Sequence, residues 1–123
     1  MKTIIYSSWL ILAMVTAPAF ADKQAATKAS YQAEVLIESA ERAGGMQHAV
    51  YLMKSAQDNL NQAKVDLEKR NWTDAEIAAK KSQRDAEVAG SKAKAMKAEQ
   101  AYSDLRQSVD LLRNELQRKR SGQ

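Results

Sequence analysis

From Ala49 to Met96 the chain carries a small or apolar residue at alternating steps of four and three. Before a single break the seam runs Ala49, Met53, Ala56, Leu60, Ala63, Leu67. After it the seam runs Ala75, Ala79, Ser82, Ala86, Ala89, Ala93, Met96. That period puts each set on one stripe of a helix and nothing of the kind on a strand. Two such stripes joined by a short connection bury themselves most simply against one another. The expected fold is all-α: a long antiparallel helical hairpin, coiled-coil-like with an Ala-rich seam, and an additional N-terminal helix before a Gly-Gly break.

The break between the two seams is Asn71-Trp72-Thr73-Asp74-Ala75-Glu76-Ile77. Thr73 and Glu76 have the spacing of a reciprocal capping box, and Trp72 and Ile77 that of a hydrophobic staple. These four residues, Trp72, Thr73, Glu76 and Ile77, are the expected structural corner. Asn71-Trp72-Thr73 also matches a glycosylation sequon, but capping already accounts for Thr73. Placing Leu67 opposite Ala75 pairs Ala63 with Ala79, Leu60 with Ser82, Ala56 with Ala86, Met53 with Ala89 and Ala49 with Ala93. Large residues then meet small ones, and the backbones approach closely.

Helices are expected at about residues 23–43, 46–70 and 73–119. Gly44-Gly45 after Arg42 reads as a helix end, with a cation in the last turn and a residue free to adopt the left-handed cap. The last helix would be roughly 70 Å long and the middle one only roughly 37 Å. Past Met96 the apolar stripe slips phase and resumes as Ala98, Tyr102, Leu105, Val109, Leu112, Leu116. Extending the same register places Ala26, Ala33, Ile37 and Ala40 against this distal stripe. Seam continuity therefore favours a first helix that continues past Gly44-Gly45 onto the far half of the long helix. The alternative folds it back beside the middle helix as a three-helix bundle. Either core is thin, because burying Ala gains far less than burying Leu. Val35, Leu36, Val50, Val65, Ile77 and Val88 lie off the seam, as flanks of the core or as the face of an oligomer.

Residues 1–21 read as an address. Lys2 supplies a basic start, Ile4 to Thr16 a mostly apolar run, and Ala19-Phe20-Ala21 the small-x-small pattern read by signal peptidase. Cleavage after Ala21 is expected, leaving a single helical domain over residues 22–123. The apolar run falls short of the roughly 20 residues a spanning helix needs. The expected location is the periplasm, soluble and not lipidated, since no Cys follows the cleavage site.

The 123 residues include no Cys and one His, which excludes disulfides, thiolate metal sites and any centre that needs two imidazoles. No glycine-rich phosphate loop or nucleophile elbow is present. His48 reads as a flank imidazole. The sequence carries no catalytic, metal or cofactor constellation, and the expectation is a non-enzyme without cofactors. The formal net charge is +4. Lys80, Lys81, Arg84, Lys92, Lys94 and Lys97 crowd the long helix as a candidate face for anionic ligands. Interleaved Asp85, Glu87 and Glu99 favour a solvated face with pairing along the helix over that reading. Nucleic acid is not expected as a partner, for want of a groove-entering motif or interleaved aromatics.

The stretch from His48 to Leu116 resembles a family of small bacterial envelope proteins carrying a domain of unknown function. In these an Ala/Leu-periodic helix is joined by a short aromatic turn to a helix with Ala every three or four residues. The likeness rests on Ala56, Leu60, Ala63 and Leu67, the Asn71-Trp72 turn, then Ala75, Ala79, Ser82, Ala86, Ala89 and Ala93. The corner also resembles the inter-helix turn of a single tetratricopeptide unit. Family members are often lipoproteins, and some place this segment before an OmpA-like domain; this sequence has neither a lipidation Cys nor such a second domain. The resemblance implies an envelope location and a helical hairpin, and it transfers no activity or functional residues. The expected role is a structural or protein-interaction module, through another envelope protein or self-association. The alternative is peripheral binding of anionic envelope polymer or lipid through the basic face.

Overall fold

The computed structural model describes residues 18–122. Most of the expected signal sequence lies outside them, and Pro18–Ala21 form the first turn of a helix. Four helices follow one another: α1 Pro18–Ala43, α2 Gly45–His48, α3 Val50–Glu68 and α4 Trp72–Ser121. There is no strand among the described residues.

The hairpin of α3 and α4 forms on the expected seam. Ala49, Met53, Ala56, Leu60 and Ala63 are buried on one side, and Ala75, Ala79, Ser82, Ala86, Ala89 and Ala93 on the other. Leu67 is half-buried and Met96 is exposed, so the seam frays at its two ends. The largest fully buried side chains are Met53 and Ser82. A core so poor in volume gains little per residue from apolar burial. It compensates with close helix contact, as at Gly90 of α4 against Ala40 of α1, and with hydrogen bonds that cross the seam. The Ser82 hydroxyl donates to the Ala56 carbonyl at 2.7 Å. The Asp85 carboxylate accepts from Ser55 at 2.6 Å and from the Asn59 amide at 3.2 Å. Asp85 thus sits between residues 55 and 59 of α3, in agreement with the register read from the seam.

The first helix is not collinear with α3, which corrects the extended arrangement favoured by seam continuity. α1 folds back and packs in the groove between α3 and α4. The Gln83 amide of α4 donates to the Ala29 carbonyl at 2.7 Å. Glu34 pairs with Lys64 of α3 at 2.5 Å, and the Gln57 amide donates to Glu41 at 3.2 Å. Lys23 stands over the Trp72 ring, 5.8 Å from its centroid, at one end of the bundle. At the other end Gly44 faces Lys97. Residue numbers on α1 therefore rise with those on α4 and fall against those on α3, an up-down-up bundle. Ala26, Ala29, Ser30, Ala33, Ile37 and Ala40 form the stripe that α1 buries.

The reason lies in Gly44-Gly45. Gly44 adopts φ +97°, a left-handed conformation that ends α1 after Ala43, and its amide donates to the Glu41 carbonyl at 2.9 Å. Gly45 is buried where a Cβ would fall 2.9 Å from the Ala40 carbonyl oxygen and 2.8 Å from the Met53 sulfur. The one-turn helix α2 then reverses the chain into α3. The two glycines make a turn, and a small-residue stripe on α1 can contact two helices there instead of one.

The corner between α3 and α4 is real, but its chemistry differs from the expected capping box. α4 starts at Trp72, its N-cap is Asn71, and no side chain caps it. Thr73 is exposed within the first turn. Glu76 instead pairs with Lys80 one turn on, at 2.6 Å. Ile77 is half-exposed, so it does not close a staple over Trp72. What holds the corner is the end of α3. Arg70 takes the left-handed conformation at φ 62°, the Asn71 amide donates to the Asp66 carbonyl at 2.8 Å, and the Arg70 amide donates to the Leu67 carbonyl at 3.1 Å. This is the Schellman pair of bonds, with Arg where glycine usually stands.

Candidate interaction surface

α4 is far longer than the bundle it completes. Its 50 residues extend roughly 75 Å at 1.5 Å per residue, and its last buried residue is Ala93. Every residue from Lys94 to Gly122 is exposed. Because α1 is folded back, nothing among the described residues covers the distal stripe. Tyr102, Leu105, Val109, Leu112 and Leu116 are 39–66% exposed, on one face of an overhang with no second helix. Single exposed apolar residues are ordinary, but a run of them on one stripe with strict heptad spacing is not.

The distal stripe does not continue the buried one. At 100° per residue its direction is turned by roughly 140° from that of Ala75, Ala79, Ser82, Ala86, Ala89 and Ala93. The phase slip near Met96 is thus a change of partner: upstream the helix faces α1 and α3, downstream it faces outward in another direction. The off-seam residues do not form a comparable surface. Val35 is exposed on α1, Val50 and Val65 on α3, and Ile77 and Val88 on α4, while Leu36 packs partly buried against the core.

Five of the six basic residues lie on the solvent-facing half of α4, and Lys97 does not. Lys80 is engaged by Glu76, and Lys97 lies over Gly44 at the C-terminal end of α1, where a cation complements the helix dipole. By helical position Lys94, Lys80, Arg84, Lys81 and Lys92 fan across roughly 160° on the side opposite the buried stripe. His48 is half-buried, its ring beside Gly44. No group of three His, Cys, Asp or Glu that could hold a metal ion occurs among the described residues. No helix among them is long and apolar enough to cross a membrane.

The domain of unknown function DUF4398 matches residues 28–105. The chain belongs to this family. No curated protein and no solved structure matches it. The family span opens within α1, at Lys28, which the sequence resemblance had placed outside the shared segment. It therefore takes in nearly the whole folded-back bundle, and it ends at Leu105, inside the overhang. Val109, Leu112 and Leu116 lie beyond it.

Two features of this surface escaped the sequence reading. The distal stripe was legible as a stripe but was given the wrong partner. Asp85 reads as an ordinary solvated residue and Gln83 carries no signal, although each makes a hydrogen bond between helices. Asp85 follows Lys80, Lys81 and Arg84 directly, and nothing in that run distinguishes a seam-crossing acid from a surface one.

Proposed function

We propose that this chain is a non-catalytic helical interaction module of the cell envelope, exported to the periplasm, cleaved after Ala21 and soluble. Its folded bundle serves as a base, and the distal part of α4 docks other helices. The observation that carries this reading is the uncovered stripe of Tyr102, Leu105, Val109, Leu112 and Leu116. Such a stripe offers apolar area on a rigid, helical rod, the helix-to-helix mode of recognition. The signal-like N-terminus supports export, and its cleavage would leave every core residue of α1, the first of which is Ala26. The anionic-polymer reading has less support, because its five solvent-facing cations spread over roughly 160° of α4 among Asp85, Glu87 and Glu99, and Lys80 is paired with Glu76.

Photo-crosslinking residues placed at Leu105 and Leu112, with one at exposed Asn61 of α3 as control, test the docking surface in intact cells. Adducts are expected from the two stripe positions and not from Asn61. Absence of adducts from the stripe, or equal yields from Asn61, would refute it. Osmotic release of a chain that begins at Asp22 is the expected result for localisation.

A further inference from the structure

We infer that the occupant of the distal stripe is a second copy of this chain, lying parallel and in register along α4. This deepens the docking role proposed above and rests on it. With Tyr102, Val109 and Leu116 at a, Leu105 and Leu112 fall at d, and Ala95 and Ala98 continue the pattern toward the bundle. Val109 at a between Leu105 and Leu112 at d is the combination that favours two parallel strands, and it occupies the middle of the stripe. From Ala95 to Leu116 the overhang supplies about three heptads, a length at which coiled coils become specified.

The flanking charges select the same partner. The e positions are Glu99, Arg106, Arg113 and Arg120, and the g positions are Lys94, Ala101, Ser108 and Glu115. In a parallel pair each g residue faces the e residue of the partner's next heptad. Lys94 then meets Glu99, and Glu115 meets Arg120, each twice by symmetry, while Arg106 and Arg113 meet Ala101 and Ser108. No like charges oppose one another at these e and g positions. The antiparallel alignment of the same stripe brings Arg106 against its own copy. Among the described residues Lys94, Glu99, Glu115 and Arg120 have no ion-pair partner within the chain.

The fold leaves room for this copy. Since the distal stripe is turned by roughly 140° from the buried one, a second α4 laid along it meets neither α1 nor α3 of the first chain. The two bundles then stand side by side at one end, on opposite flanks of a two-stranded stalk. Upstream of Ala95 the a and d positions hold Ile77, Lys81, Arg84, Val88 and Ser91, so the polar Lys81, Arg84 and Ser91 interrupt the apolar stripe beside the bundle.

The closing experiment is sedimentation equilibrium on the purified chain, combined with single-cysteine crosslinking, for which the cysteine-free background is suited. The expected mass is that of two chains. Leu105→Asp with Leu112→Asp should give one chain whose bundle melts as before. Oxidised Leu112→Cys should link to itself, as in-register parallel strands require; linkage only in a mixture of Tyr102→Cys and Leu112→Cys chains would overturn the orientation. Glu115→Arg should weaken the dimer about tenfold by replacing two attractive pairs with repulsive ones, and adding Arg120→Glu should restore it. A single-chain mass at every concentration would overturn self-pairing. If the stripe still crosslinked to another protein in cells, the docking role would survive it; if not, both would fall.

Discussion

Gly90 of α4 stands against Ala40 of α1 so closely that a Cβ on Gly90 would lie 3.4 Å from the Ala40 Cα and 3.5 Å from its Cβ. That is ordinary van der Waals contact, so a methyl group fits and nothing larger does. Gly90→Ala should raise stability by up to about 1 kcal/mol, the helix penalty of glycine. Gly90→Leu should lower it by about 1–3 kcal/mol through overpacking. Urea unfolding of the two variants measures both, and a destabilising Gly90→Ala would show that the helices cannot accommodate the methyl.

At the α1–α3 reversal the sign is opposite. Gly44→Ala puts a side chain at φ +97° and should cost about 1–2 kcal/mol. Gly45→Ala drives its Cβ toward the Ala40 carbonyl and should cost about 1–3 kcal/mol. In a collinear α1–α3 helix each change would instead stabilise by about 1 kcal/mol. Denaturation midpoints of the two variants therefore decide between the layouts by direction alone.

The corner offers a test of what holds it. Arg70 occupies a left-handed position better suited to glycine, and Arg70→Gly should stabilise by about 1 kcal/mol. Thr73→Ala should change stability by less than about 0.5 kcal/mol, because Thr73 is exposed and caps nothing. A loss near 1 kcal/mol, typical of a removed cap, would restore the capping box. Thermal unfolding resolves the difference.

Asp85 gathers Ser55 and Asn59 across the α3–α4 seam. Asp85→Ala leaves two half-buried donors without their acceptor and should cost about 1–3 kcal/mol. Asp85→Asn keeps one acceptor oxygen and should lose less. A double-mutant cycle with Ser55→Ala is expected to show coupling, and additive losses would remove Asp85 from the list of register-setting contacts.

Much of this architecture was legible because helical periodicity is a local property. The α3 and α4 seams, from Ala49 to Ala63 and from Ala75 to Ala93, are written in steps of three and four and are buried as written. Their register followed from one choice, Leu67 opposite Ala75, and Asp85 between Ser55 and Asn59 agrees with it. The heptads from Ala98 to Leu116 were equally plain. The capping residues were less so, since Thr73 and Glu76 satisfy the capping-box spacing whether or not the helix starts one residue earlier.

What the chain alone determined is its all-helical class, the two stripes, and the positions of its breaks, because those depend on residue spacing and on backbone freedom at Gly44-Gly45. Which helix meets which stripe was decided only in three dimensions. A row of small residues such as Ala26, Ala33 and Ala40 suits any close-packed neighbour, and its spacing carries no address. The groove between α3 and α4 exists only after the hairpin has formed, and it gives α1 two helices to touch where the distal part of α4 would give one. That preference leaves Tyr102 to Leu116 uncovered, and with them the surface through which this protein is proposed to work.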